Sequence, residues 1–362
     1  MAIDRVLSSD SRGDSEDNFN LALRPKSLNE CIGQKTVKEK LSIAIAAAKH
    51  RNEPLEHILF YGPPGLGKTT LAHIIANEMN AAIRITSGPA LTKQGDVMGL
   101  LTNVAAGDVM FIDEVHRLSA PVEEFIYPAM EDFKVDFTVD SGMHAKTINF
   151  PLKRFTLVGA TTRAGLLSAP LRGRFGIMLH LDYYSDDELE LILARSAKLL
   201  GLECKDSSLG LIASRSRGTP RIANRLLKRV RDYAQVKGTG QLTTQIVEQA
   251  LKMEQIDELG LDELDRSFLR ALIKVYDGGP AGIEAIAATL GEERDTLEDV
   301  VEPYLLQIGF VRRTKRGREI TQAACDHLNV KYNPTGKSHT QQNMFEEDEQ
   351  QPRTTTESAS PF

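Results

Sequence analysis

Between His57 and Tyr184 the chain alternates short apolar runs with longer stretches of helical period. The runs are HILFYG (57–62), AIRITSG (82–88), VMFID (109–113), FTLVGA (155–160) and IMLHLDYY (177–184), and TLAHIIANEM and PVEEFIYPAMEDF lie between them. Apolar strands alternating with amphipathic helices predict an α/β fold with a doubly wound, mostly parallel sheet. One segment departs from this. KVDFTVDSGMHAKTINFPL (134–152) alternates polar and apolar around a Ser-Gly pair, which predicts a β-hairpin inserted beside the sheet.

After Tyr184 the strand pattern stops. SDDE (185–188) reads as a capping box, and the helix it opens runs to a stop at Gly201. More helical pattern follows to about Gln255. From about 258 to 330, three helical segments precede GFVRRTKRGREITQAA, a short hairpin with a glycine at its tip. Helix–helix–helix–hairpin is the order of a winged helix. The expected organisation is a large α/β domain over 1–184, a small helical domain over 185–256, a winged-helix domain over 257–330 and a tail over 331–362. That tail is rich in Gln, Thr and Ser with few aliphatics, so it cannot bury enough surface to offset chain entropy, and disorder is expected.

Composition changes this picture little. A chain of 362 residues with 41% hydrophobic and 26% charged residues has room for several ordinary soluble cores. The net charge of −6 argues against indiscriminate nucleic-acid binding but leaves room for a local basic patch. Cys31, Cys204 and Cys325 are far apart and form no CxxC pair, so structural zinc is not expected and a reducing cytosol fits best. The opening MAIDRVLSSDSRGDSED lacks the apolar stretch of a signal peptide, and no apolar run is long enough for a membrane span.

The chemistry is concentrated in three places. YGPPGLGKTT (61–70) follows a strand, opens a helix and matches the P-loop pattern at Gly62, Gly67, Lys68 and Thr69. Its glycines, Gly65 among them, let backbone N–H groups approach phosphates, and the helix N-terminus adds its positive dipole end. Lys68 is expected to reach the β- and γ-phosphates and the Thr69 hydroxyl to hold Mg²⁺ directly. DVMFIDEV (108–115) is an apolar strand ending in two acids, which suits Asp113 to a Mg²⁺-bound water and Glu114 to orienting or deprotonating an attacking water. GTPR (218–221) puts Arg221 in a first helical turn, where a cation opposes the helix dipole and a nucleotide phosphate would relieve it. Arg225 to Arg231 on that helix read as a solvated basic face.

A cluster of arginines is left over. GATTRAGLLSAPLRGRFG (159–176) holds Arg163, Arg172 and Arg174, with no acid between Arg154 and Asp182 to pair them. The wing segment RRTKRGR is likewise basic in an otherwise acid-rich unit; by itself it reads equally as a solvated basic turn or as a contact for nucleic-acid phosphates, and with no interleaved aromatics base stacking is not suggested.

Together the P-loop, the DEVH strand end, GATTR, GRFG and GTPR resemble the AAA+ ATPases. LRPKSLNECIGQ (23–34), the hairpin, LRGRFGIMLHLDYYS and the winged helix resemble, within them, the RuvB family of bacterial Holliday-junction branch-migration motors, over roughly residues 20–330. The resemblance implies an ATP hydrolase using Mg²⁺ that pumps duplex DNA in recombination and repair, in the bacterial cytoplasm. It implies that Leu23 and Arg24 sit at the adenine end of the nucleotide, with Thr70 in the P-loop helix and Glu131, Asp132 and Phe133 near the same site. Thr162 would be sensor 1, Tyr184 and Arg221 lid-side nucleotide contacts, and Arg174 the arginine finger reaching a neighbouring subunit of a homohexameric ring. Arg163 and Arg172 receive no role from it. Arg294, Arg313 and Arg318 match DNA-contact positions, the hairpin 134–152 is a candidate contact for the junction-binding protein RuvA, and RuvC resolvase would join the larger complex. Gly173 departs from the Asp or Ser expected before the finger. A clamp-loader-like switch would carry Ser-Arg-Cys there, and an unfoldase would carry an aromatic in TKQGDVMGL (92–100), which has none.

Overall fold

The computed structural model describes residues 22–139, 146–205 and 207–331. Most of the tail expected to be disordered (332–362) and the tip of the hairpin lie outside the described residues. Contacts divide the chain into two compact units, Met1–Arg266 with Asp295–Tyr304, and Ser267–Arg294 with Leu305–Phe362.

In the first unit β1 (Ile58–Tyr61), β2 (Ile83–Ser87), β3 (Val109–Asp113), β6 (Thr156–Thr161) and β7 (Ile177–His180) form one sheet in the order β2-β3-β6-β1-β7. Every pairing in it is parallel. The central strands are apolar because both faces are covered: Ile58, Leu59, Phe60 and Phe111 are fully buried. The two faces pack into separate clusters, Ile58 and Phe60 with the helix Lys68–Glu78 on one side, Leu59 and Met110 with the helix Ala120–Glu131 on the other. β4 (Lys134–Val139) and β5 (Lys146–Pro151) form the separate antiparallel hairpin, with Ile148 and Phe150 exposed.

The helical region begins at Asp186–Leu199, where Ser185 and Glu188 form the reciprocal capping box at 3.2 Å each way. Helices Ser208–Ser214, Pro220–Lys237 and Thr244–Met253 complete it, with only an isolated bridge between Cys204 and Leu242 and no strand element among the described residues. The solvated basic face expected on Pro220–Lys237 is corrected at Arg225, which is only 6% exposed. It shares the turn of Ile222 and Leu226, so its stem packs with the apolar stripe.

In the second unit, helix Ile283–Leu290 is joined by a hairpin of β8 (Val311–Thr314) and β9 (Gly317–Ile320). Ala281 bridges to Arg318, and a Cβ on Gly317 (φ 144°) would fall 2.3 Å from the Ala281 carbonyl oxygen, so that close approach demands glycine. Asp295–Tyr304, which belongs to the first unit, carries a π turn at Leu297–Val301. Among the described residues, no helix is long and apolar enough to cross a membrane.

Candidate active site

The P-loop is built by backbone constraint. Gly62 turns at φ 141°, and a Cβ there would lie 2.5 Å from the Leu181 carbonyl oxygen of the segment after β7. Gly65 and Gly67 also take positive φ, and Gly67 caps the helix Lys68–Glu78 without a side chain in the way. The N–H groups of that first turn therefore face an open cavity of about 200 Å³. Gly65, Gly67, Lys68, Thr69 and Thr70 line it, as do Asp113, Glu114 and Thr162 from the adjacent strand ends and Tyr184 and Arg221 from the helical region.

Lys68 is 7% exposed and donates to the Gly62 and Pro63 carbonyls at 2.8 and 2.9 Å. Burial pushes its ammonium down to about 8, against the pull of Glu114 and Asp113. The amine is thus bonded to carbonyls with Glu114 and Asp113 acting on it from farther off, and a phosphate in the cavity would add an anion beside it. Asp113 accepts from the Glu114 N–H at 3.0 Å. Glu114 adopts φ 49°, and Gly88 must be glycine because its Cβ would lie 2.4 Å from the Glu114 carbonyl oxygen. Glu114 Oε2 accepts from the Thr162 hydroxyl at 3.2 Å and lies 3.1 Å from His116 Nδ1. Burial, and then Asp113, raise the Glu114 carboxyl above its ordinary range, which makes it the better proton acceptor.

At the opposite end of the cavity Leu23 and Arg24 line the wall with Ile32, Cys31 and Ile192. Tyr184 donates to the Leu66 carbonyl at 3.3 Å, and its ring lies against Gly33. Arg221 enters beside the P-loop, its N–H donating to the Gly65 carbonyl at 3.4 Å.

The structure does not bring every expected residue to this cavity. Glu131, Asp132, Phe133 and Arg174 lie outside its lining. Arg174 instead pairs with Glu131 at 3.1 Å, lies 4.1 Å over the Tyr127 ring and donates to the Pro170 carbonyl at 2.8 Å, while its Nε is buried without a partner. Asp132 pairs with Lys134 at 3.0 Å, and Phe133 packs edge-on against Phe155. A Cβ on Gly173 would meet nothing within 4 Å, so no crowding demands glycine before Arg174.

Three residues that sequence reasoning missed organise the site. Arg195 donates to the Leu23 carbonyl at 2.6 Å and pairs with Glu30 at 3.2 Å, holding the N-terminal segment against the cavity. His116 is hydrogen-bonded to Thr161 and lies beside the Glu114 carboxylate. Arg163, given no role above, has its anion in this chain: Nε donates to Asp299 at 3.0 Å, and Glu298 lies 3.8 Å away. In the second unit Arg313 and Arg318 face each other across β8 and β9, and Arg294 pairs with Glu284 at 3.0 Å. Among the described residues no cluster of three or more His, Cys, Asp or Glu could hold a metal.

Comparison with known proteins follows the same division of the chain. Residues 23–181 match the Holliday junction DNA helicase RuvB P-loop domain, 184–257 the RuvB AAA lid domain and 258–329 the RuvB C-terminal winged helix domain. The chain is 54% identical over 333 residues to the Holliday junction branch migration complex subunit RuvB of Ligilactobacillus salivarius, covering 92% of this chain and 99% of that protein. It is 57% identical over 315 residues to the protein of the same name from Kosmotoga olearia, covering 87% and 92%. The solved Thermotoga maritima RuvB Holliday junction branch migration motor is similar at 53% identity and TM-score 0.79, covering 86% of this chain and 100% of that one.

Proposed function

Because this chain belongs to the RuvB family, a family of AAA+ P-loop ATPases, we propose that it is an ATP-driven motor that pumps duplex DNA to move Holliday junctions during recombination and repair. The observation that carries the reading is one cavity into which Lys68, Glu114, Thr162 and Arg221 converge from the P-loop, two strand ends and the helical region. The division into 1–184, 185–256 and 257–330 is supported by the three matched family segments.

In this reading the first-turn N–H groups and Lys68 bind the triphosphate, and Leu23, Arg24 and Tyr184 enclose the base end. Glu114, with its carboxyl raised by burial, orients the attacking water and takes its proton. Thr162 holds that carboxylate and meets the γ-phosphate. One hydroxyl, Thr69, and one carboxylate, Asp113 acting through water, are too few for a dedicated metal cage but fit Mg²⁺ delivered with the phosphates. That ion would supply positive charge against the negative charge of the phosphates.

Arg174 lies outside its own chain's cavity, which supports its use on a neighbour's ATP and hence a closed homohexameric ring. Glu131, Asp132 and Phe133 share its neighbourhood and would reach nucleotide from the same side. Arg294, Arg313 and Arg318 would track phosphates without reading sequence. The exposed Ile148 and Phe150 of β5 offer an apolar surface for RuvA, with RuvC joining the complex in the bacterial cytoplasm, at the nucleoid.

The direct test is a branch-migration assay on a synthetic four-way junction with and without RuvA. ATP-dependent movement of the junction is expected, faster with RuvA. No movement in either condition, with ATP still hydrolysed, would favour a loader that uses ATP only as an assembly switch.

A further inference from the structure

Arg163 stands outside the nucleotide cavity, yet it is tied to the residues that work inside it. Its backbone N–H donates to Thr161 Oγ1 at 3.0 Å. Thr161 Oγ1 lies 2.9 Å from His116 Nδ1, and that nitrogen lies 3.1 Å from Glu114 Oε2. Thr162, between Thr161 and Arg163, donates to the same Glu114 oxygen. The end of β6 thus holds the glutamate directly through Thr162, while His116, hydrogen-bonded to Thr161, lies beside the same carboxylate oxygen. His116 is 7% exposed in its side chain, so it is fixed in place.

At its far end the guanidinium of Arg163 is held by Asp299, with Glu298 beside it. Both acids sit in the π turn Leu297–Val301. Single π turns inside a helix widen the backbone by one residue and are frequent at functional sites. The pair is too exposed to exist for stability: Arg163 is 32% and Asp299 42% exposed in the side chain, and such pairs contribute about 0–1 kcal/mol.

We propose that Arg163 is a positioning residue for ATP hydrolysis. Its ion pair with Asp299 and Glu298 clamps the end of β6, and that clamp sets the placement of Thr162 and through it Glu114. The inference rests on Glu114 being the residue that activates water. A displaced water-activating carboxylate slows the chemical step while leaving the triphosphate contacts of Lys68 and the P-loop untouched.

The test is steady-state hydrolysis of Mg-ATP by the full chain, with thermal melting and binding of a fluorescent ATP analogue measured alongside. Arg163→Ala should lower kcat about tenfold and Asp299→Asn about threefold, with KM and analogue affinity changed less than about twofold. Melting temperature should move by less than about 2 °C, since an exposed pair contributes little to folding. Arg163→Lys, which keeps the charge, should stay within about threefold of the parent. The double variant Arg163→Ala with Asp299→Asn should be no slower than Arg163→Ala alone, because both remove one contact. Additive losses, a parental kcat in Arg163→Ala, or a loss that tracks melting temperature would each overturn the proposal. Glu114→Gln separates it from its premise. If that variant binds ATP without turnover while Arg163→Ala is normal, only the clamp fails. If Glu114→Gln hydrolyses at the parental rate, the premise fails and the clamp with it.

Discussion

Asp265→Ala should unfold the first unit at a much lower temperature, although Asp265 lies far from any nucleotide contact in sequence. The side chains of Arg217 and Asp265 are 3% and 0% exposed, and they form a direct ion pair. Arg217 Nε donates to the Gly260 carbonyl at 2.8 Å, and its guanidinium lies 4.8 Å over the Tyr304 ring. Asp265 also accepts from the Asp262 N–H at 2.9 Å. Removing the carboxylate leaves a buried guanidinium with one carbonyl and a ring face, and breaking such a pair costs about 3–5 kcal/mol. At about 2–4 °C per kcal/mol for a unit of this size, the melting temperature should fall by roughly 6–20 °C. Arg217 also begins the turn that delivers Thr219 and Arg221 to the P-loop, so affinity for ATP should weaken in the same variant. The double change Arg217→Met with Asp265→Leu should recover most of the loss, since a buried pair replaced by apolar groups of like volume is often neutral. Scanning calorimetry and titration with a fluorescent ATP analogue measure both effects. A melting temperature within about 2 °C of the parent for Asp265→Ala, or a double variant no better than the single, would refute the reasoning.

Arg174→Ala should bind ATP normally and lose about 10³-fold or more in turnover, and mixing it with Lys68→Ala subunits should restore part of that turnover. No restoration where mixed rings form would contradict a finger supplied between subunits. Arg318→Ala should weaken duplex binding and flatten its salt slope by about one unit, read from filter binding at several salt concentrations; an unchanged slope removes it from the contact surface. Lys68 gives a pH signature: in the empty cavity it loses its proton near pH 8, whereas bound triphosphate keeps it charged. ATP binding measured in EDTA should therefore take up close to one proton at pH 9 and only a small fraction of one at pH 7.5, where the free γ-phosphate is already mostly ionised, with affinity falling up to about tenfold per pH unit above 8. Equal proton uptake at the two pH values, by calorimetry in buffers of different ionisation enthalpy, would exclude Lys68 as the titrating group.

The parts of the fold and site that could be read from sequence are those whose physical cause is local. Gly65 and Gly67 are needed where they stand because of backbone angles within the loop, and the strand before and helix after it are visible as apolar runs. Asp113 and Glu114 follow directly from the end of a buried strand. Ser185 and Glu188 announce a helix start within four residues. Where the deciding contact is distant, sequence shows at most one half of it. The leucine carbonyl that Arg195 holds is 172 residues away, and the partner of Arg163 is 136 residues away. Arg225 misled for a related reason: charge alone suggested solvent, while its position among Ile222 and Leu226 put its stem in the packed stripe.

The three arginines of 159–176 show how far an unpaired charge can be followed. Arg163 found its acids within the chain, on a segment no local pattern connects to it. Arg174 found a weaker answer. Its carboxylate partner Glu131 is 55% exposed in the side chain, so that pair contributes about 0–1 kcal/mol and is cheaply exchanged. Its Nε, meanwhile, is buried with no hydrogen-bond partner among the described residues. A guanidinium held by an exposed acid and an aromatic face, with one donor unsatisfied, gains by moving to a better anion. Within its own chain the nucleotide cavity does not include it. In the proposed ring, the phosphates of a neighbour's ATP would have the charge and the oxygen acceptors to meet its donors.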